Sequence, residues 1–415
     1  MLYNFNESEV RSYCRNFPVI FGKSSGEFLY DNQGKRYIDF LSACGALNYG
    51  HNHPILREAL LTYISNNGVS ISMDLETTSK NEFMESFQRI ILSKRQMEYR
   101  LQFTGPTGTN AVEAAIKLAR KVTGRLGIVA FTRAFHGCTL GSLALTANRT
   151  HRSSSEHQLI HTLRLPYDGF GSFDEDAGNM LDCLVSDPSS GIEKPAAIIL
   201  ETIQGEGGMN SARKKWLVSL AEIARKHKII LIIDDIQAGC GRTGNFFSFE
   251  YFGIKPDLVC LAKSISGFGL PMSLVLIRPD LDVWAPGEHN GTFRGNNLAF
   301  VTAKAALENF WSDQEFQSKI KDTEYKLDQK LKELCSQFPC KLKGRGLMRG
   351  IEFQERKFAA KVQKICFEKG LILETSGPQG EVLKLLPPLT VTDDIIDNAM
   401  EIIRNAIFNE KKPAS

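Results

Sequence analysis

The chain has almost no excess charge: 50 lysines and arginines stand against 47 aspartates and glutamates, a formal net charge of +3 over 415 residues. No basic run is long enough to follow a phosphate backbone, so nucleic acid is not an expected partner. No apolar stretch approaches the length of a membrane span, and the opening "MLYNFNESEVRSYCRNF" carries acids where a secretory leader would be basic and then apolar. A cytoplasmic protein without a membrane partner is the expectation. No strand-like run is followed by G-x-G-x-x-G, and no glycine-rich loop ends in G-K-[ST], which argues against a dehydrogenase and against a P-loop enzyme. The nine cysteines contain no C-x-x-C pair and no zinc-ligand spacing, so reduced thiols and no metal site are expected. There is no internal repeat. What the chain does have is length and 42% hydrophobic residues, enough to bury one large core and one smaller one.

Short branched runs, "GIVAF" at 127–131, "AAIILE" at 196–201, "IILIID" at 229–234, "LVCLA" at 258–262 and "SLVLI" at 273–277, read as fully buried strands. Amphipathic helical patterns at 110–124 and 214–227 lie between them. That alternation predicts an α/β domain, here placed at 50–305, with a largely parallel sheet covered on both faces. The last third, 306–415, changes to long helical patterns at 313–338, 357–369 and 393–408 around strands at 346–353 and 381–388. An N-terminal meander at 26–42 needs another sheet to pack on, so residues 1–49 are expected to join 306–415 in a smaller, discontinuous α+β domain.

In open α/β sheets ligands sit beyond the carboxyl ends of the strands. Lys263 follows "DLVCLA" and precedes the glycine-rich "SISGFGLP", where partial desolvation favours a neutral, nucleophilic amine; a lysine merely reaching for solvent at a strand end would look the same. Asp234 ends "IILII", and a buried acid there calls for a cationic partner such as a protonated pyridine nitrogen. Its neighbour Asp235 reads as a cap for the next turn. "FTGPTGTN" before the helix near Asn110 offers free N–H groups and hydroxyls at a positive helix end, the outline of a phosphate cup. Phe135, followed by His136, could cover a planar ring, although a lone aromatic is more often core. Nucleophilic lysine, acid, phosphate cup and stacking ring together make the set that pyridoxal 5′-phosphate needs.

Eight ordered motifs carry a family resemblance over nearly the whole chain: "ALNYGHNHP" at 46–54, "TGTNAVEAAIKLAR" at 107–120, "AFHGCTLGSLALT" at 134–146, "ETIQGEGG" at 201–208, "DDIQAGCGRTG" at 234–244, "AKSISG" at 262–267, "GTFRGNN" at 291–297 and "RGLMRGIEF" at 345–353. They resemble the fold-type I, class III pyridoxal-phosphate aminotransferases, and the wording is most similar to the diaminobutyrate–2-oxoglutarate branch used in ectoine biosynthesis. The resemblance implies a large, mostly parallel seven-stranded sheet domain with a smaller discontinuous domain. It implies Lys263 as the Schiff-base lysine and proton shuttle, Asp234 on the pyridine nitrogen and Gln237 on the ring's phenolic oxygen. Gly108 and Thr109 would bind phosphate, Phe135 would stack with His136 beside it, and Glu201 would lie near the cofactor, with Thr202 where proline is more usual. Thr292 would reach the phosphate of a neighbouring subunit, implying a homodimer or dimer of dimers. Glu206 matches a glutamate that gates an arginine for the substrate carboxylate. At that arginine's place in "KLLPPL" this chain has Lys384, a point charge instead of a fork. The implied partners are small-molecule amino donors and oxo acceptors. Ornithine, acetylornithine or 4-aminobutyrate transamination, an aminomutase, and a non-catalytic relative remain the alternatives.

Overall fold

The branched apolar runs become the centre of a seven-stranded sheet in the computed structural model, which describes residues 7–153, 159–171 and 177–410. The strands lie in the order Arg100–Gly105, Ser273–Ile277, Leu258–Leu261, Ile230–Asp234, Ala197–Leu200, Ile128–Phe131 and Thr162–Leu165. All neighbours from 258–261 to 162–165 run parallel, while 273–277 is antiparallel to both of its neighbours. Successive strand residues point to opposite faces, so both faces must be covered. Ile199, Ile232 and Cys260 pack under the helix Gly108–Thr123 with its Ala111, Ala115 and Ile116. Ile198, Ile233 and Val259 face the other way, into the core that contains Trp216 and Leu220 of the helix Lys214–His227.

The two strands not anticipated, 100–105 and 162–165, form the sheet's edges. The outer one, "TLRL", is only half-buried along most of its length, so it lacks the continuous apolar signal of the inner strands.

The chain's two ends meet in smaller sheets. Phe21–Ser25, Phe28–Asp31 and Arg36–Asp39 form an antiparallel meander, and Leu371–Ile372 pairs parallel with the last of them. Its turn is shaped by Asp31, whose Oδ1 accepts the N–H groups of Gln33 and Lys35 at 2.9 Å each. A second antiparallel sheet runs Cys340–Arg345, Met348–Phe353, Val382–Leu385 and Glu374–Ser376. Residues 1–6 and 411–415 of the outer segments lie outside the described residues.

The expectation of uniformly reduced thiols is corrected here. Cys335 and Cys340 form a disulfide, while Cys44, Cys138 and five others are free. The helix Glu315–Gln337 ends and the strand Cys340–Arg345 begins within a few residues, so the chain reverses and brings the two Cα atoms to 5.3 Å. Among the described residues no helix is long and apolar enough to cross a membrane.

Candidate active site

The carboxyl ends of the strands 128–131, 197–200, 230–234 and 258–261 open onto one cleft of about 150 Å³, completed by the first residues of the helix 108–123. Its walls bring together Gly108, Thr109, Phe135, His136, Glu201, Glu206, Asp234, Gln237 and Lys263. Nine of the eleven residues singled out from the sequence therefore share one space; Lys384 and Thr292 do not line it.

Lys263 is the first residue of a short turn that leaves the strand 258–261. Its φ of 54° is left-handed, which costs a non-glycine residue roughly 1–2 kcal/mol. The surrounding structure holds that conformation: the Ser264 hydroxyl donates to the Gly45 carbonyl at 2.6 Å and Thr302 Oγ1 to the Ser266 carbonyl at 2.6 Å. Opposite it, Asp234 is 4% exposed, with Oδ2 2.7 Å from His136 Nδ1 and Oδ1 accepting the Ile236 N–H at 3.2 Å. His136 is thus a brace for Asp234, and its other ring nitrogen is buried without a hydrogen-bond partner among the described residues. Asp235 does not cap the following turn as expected. Its carboxylate is 1% exposed and accepts the N–H of Ser248 at 3.0 Å, thirteen residues along the chain.

At the phosphate-cup end, Gly108 and Thr109 open a helix of 16 residues, whose first N–H groups have no partner within the helix. Ile236 packs so closely that a Cβ on Gly108 would sit 2.8 Å from its Cδ1. Gly137, at φ 127°, allows Thr109 close approach in the same way, since a Cβ there would be 2.4 Å from the threonine hydroxyl. That hydroxyl bonds to those of Thr139 at 2.7 Å and Ser142 at 2.6 Å. Phe135 is half-buried, its ring edge-on to His151 at 5.4 Å and its N–H given to Glu201 Oε1 at 3.0 Å. Glu201 also accepts the Gly205 N–H at 3.0 Å; burial, reinforced by Asp234 and opposed by His136, pushes its carboxyl up to about 7.

Gln237 donates to the Cys44 carbonyl at 3.1 Å, while its Oε1 is buried and unpartnered. The carbonyl it uses belongs to a left-handed turn in which Ser42, Ala43, Cys44 and Gly45 have φ of 46°, 48°, 56° and 78°. Nothing in "LSACGALNYG" announces three consecutive non-glycine residues in that region.

Lys384 is the main departure from expectation. Its side chain is fully buried behind Glu206, with Nζ 2.8 Å from Glu206 Oε1 and 3.1 Å from Glu374 Oε2. Burial alone would depress this lysine, but the two carboxylates hold it charged and raise its pKa. Burial likewise opposes the Glu206 carboxylate, yet Lys384, and then Lys263 and Gln237, keep it below its ordinary value. Glu374 in turn accepts the Tyr13 O–H at 2.7 Å. Neither Glu374 nor Tyr13 was legible as a site residue, because "LILETSG" reads only as a strand and Tyr13 is far away in the chain. Thr292 is exposed in a short turn and touches no part of its own chain's cleft.

The cleft fits pyridoxal 5′-phosphate on its own terms. It has an unpartnered acceptor on Gln237, a braced acid on Asp234, a glycine-narrowed helix start and a lysine in its wall at Lys263. The family model for aminotransferase class III matches residues 10–407. A diaminobutyrate–2-oxoglutarate transaminase of Vibrio cholerae is 51% identical over 410 residues, covering 98% of this chain and 99% of its own. One of Nocardia farcinica is 50% identical over 404 residues, covering 97% and 92%. Among solved structures, an ornithine aminotransferase of Toxoplasma gondii, with partial occupancy of PLP at its active site, superimposes with a TM-score of 0.82 at 25% identity, covering 97% of this chain and 91% of its own.

Proposed function

The chain belongs to the class III aminotransferases and is a pyridoxal-phosphate-dependent enzyme, and from that premise we propose that it exchanges an amino group between L-2,4-diaminobutyrate and 2-oxoglutarate, giving L-aspartate 4-semialdehyde and L-glutamate, or the reverse. The observation that carries the reading is the single cleft in which Lys263, Asp234 and Gln237 converge with the helix start at Gly108, together with relatives about half identical over nearly the full length.

The cofactor supplies an electron sink conjugated to the reacting carbon. Around it each residue has a role set by position. Gly108 and Thr109 bind the phosphate through helix N-terminal N–H groups. Asp234, oriented by His136, holds a proton on the ring nitrogen, because a buried carboxylate favours a cation beside it. Gln237, with its unpartnered Oε1, would meet the phenolic oxygen, and Phe135 would cover the ring. Lys263 Nζ would anchor the cofactor and, when its amine is free, would carry the proton to and from the substrate carbon that bears the amino group. Glu201 shapes the turn by holding the N–H groups of Phe135 and Gly205.

Homodimer formation is part of the proposal. Ile64, Val69, Ile71, Met73 and Leu75 are 38–61% exposed, and Phe293 is 60% exposed. The two segments are joined by the Ile71–Asn296 bridge and by the Ser72 N–H on the Gly295 carbonyl at 2.9 Å, which brings these exposed apolar residues into one region of the surface. Thr292 adjoins that region, from which it would reach a neighbour's phosphate.

The reading is tested by the visible absorption of the purified holoenzyme mixed with one amine at a time and no oxo acid. Bleaching of the cofactor band by diaminobutyrate and by glutamate, and not by ornithine or 4-aminobutyrate, is expected. Bleaching by ornithine but not by diaminobutyrate would replace the substrate assignment.

A further inference from the structure

Beside the cleft lies a second cavity of about 310 Å³ that shares Phe135 and Glu206 with it. Its other walls include Arg133, Arg149 and His151. This space is cationic: two guanidiniums face one carboxylate, and that carboxylate, Glu206, is already paired with Lys384. The Nε of Arg133 is buried and has no hydrogen-bond partner among the described residues. Arg133 is also held at φ 63°, a left-handed conformation costly for an arginine. The carbonyl of the preceding residue, Thr132, accepts Gln204 Nε2 at 2.8 Å, which anchors the backbone beside it. The Arg133 guanidinium lies 5.4 Å from the Phe170 ring centre, a contact that orients the fork without using its donors.

An acceptor with two carboxylates needs cations with free donors. Lys384 is 0% exposed and lies against both Glu206 and Glu374, so in this arrangement its charge is already engaged. We propose that the cavity lined by Arg133, Arg149 and His151 seats the distal carboxylate of the five-carbon 2-oxo dicarboxylate and of the amino acid formed from it, with Arg133 as the principal clamp. Arg133 contributes a planar fork suited to a carboxylate, and Arg149 a second positive charge at the rim. Phe135 and Glu206, common to both cavities, place this clamp next to the reacting centre.

This inference rests on the reading of 2-oxoglutarate as acceptor, and the test is arranged to separate the two. Holoenzyme loaded directly with pyridoxamine 5′-phosphate, which requires no amino donor, is mixed with 2-oxoglutarate or with pyruvate, which has the same reacting carbonyl and no distal carboxylate. Return of the cofactor band is followed against concentration. Wild type unable to use 2-oxoglutarate overturns the acceptor reading itself. With Arg133→Gln, the half-saturating concentration of 2-oxoglutarate is expected to rise roughly tenfold to a hundredfold, the loss of a charge-assisted bidentate contact, while the limiting rate and the pyruvate constant hold. Arg133→Lys should fall between, keeping the charge and losing the fork. Arg149→Gln, on an exposed side chain, is expected to raise the same constant by a smaller factor and leave pyruvate alone. An unchanged 2-oxoglutarate constant in the Arg133 variants, or an equal weakening of 2-oxoglutarate and pyruvate, would overturn the clamp.

Discussion

Replacing Asp235 with asparagine should change how the protein's stability depends on pH. Asp235 is fully enclosed at the end of the central strand; burial, opposed by its bonds to Ser248 and reinforced by Asp234, pushes its carboxyl from 3.8 up to about 7. Between those two values the folded protein keeps a proton that the unfolded chain has released. The slope of unfolding free energy with pH is therefore negative over that window: the stabilising proton is fully present below about pH 4, and its contribution is lost as pH rises towards 7. At about 1.4 kcal/mol per unit, a shift of roughly three units corresponds to a loss on the order of 4 kcal/mol across the window. Asparagine keeps an acceptor for the Ser248 N–H and has nothing to ionise, so it removes this slope. Guanidinium unfolding of wild type and Asp235→Asn at pH 5, 6 and 7, with protein and cofactor concentrations fixed, isolates the effect, since every other titrating group is common to both. The variant is expected to gain on wild type by about 1 kcal/mol for each pH unit. Parallel stability curves would show that Asp235 is ionised throughout, and the burial argument would fall.

Other perturbations have outcomes that the geometry fixes in advance. Lys263→Ala should cut turnover by roughly 10³-fold or more, the scale of a lost proton carrier, with cofactor retention after dialysis measured separately; near-normal turnover would reassign the lysine. Gly108→Val should weaken cofactor retention more than it slows the loaded enzyme, because its side chain would be driven into Ile236 beside the helix start; equilibrium dialysis reads this. Arg242 is fully buried, its fork spent on Asn48 Oδ1 and on the Leu347 and Pro387 carbonyls, and burial presses its pKa down to about 9. Arg242→Met should cost about 3–5 kcal/mol in unfolding free energy by leaving those acceptors unpaired, and a loss below about 1 kcal/mol would refute the role.

Much of the site was legible because it is local in the chain. Lys263, Asp234 and Glu201 each stand directly at the end of a continuous apolar strand, and the Gly108–Thr109 helix start announces itself by composition. What was not legible are the long-range partners. Lys384 stood where relatives have an arginine for the substrate carboxylate, but nothing local to its strand showed that it would lie against Glu206 and Glu374. Cysteine spacing pointed to free thiols, and a helix end adjoining a strand start brought two of them together.

The identity and ends of the inner strands follow from the amino-acid sequence by itself, because a buried strand must be apolar along its whole length and a polar residue after it must lie at the sheet's rim, whereas the half-exposed edge strands carry no such signal. The order of those strands, the Tyr13–Glu374–Lys384–Glu206 chain of contacts and the arginine-lined cavity beside Phe135 were decided only by the tertiary structure. They join residues as far apart as 361 positions, and no local preference can encode a pairing whose two halves are chosen by the packing between them.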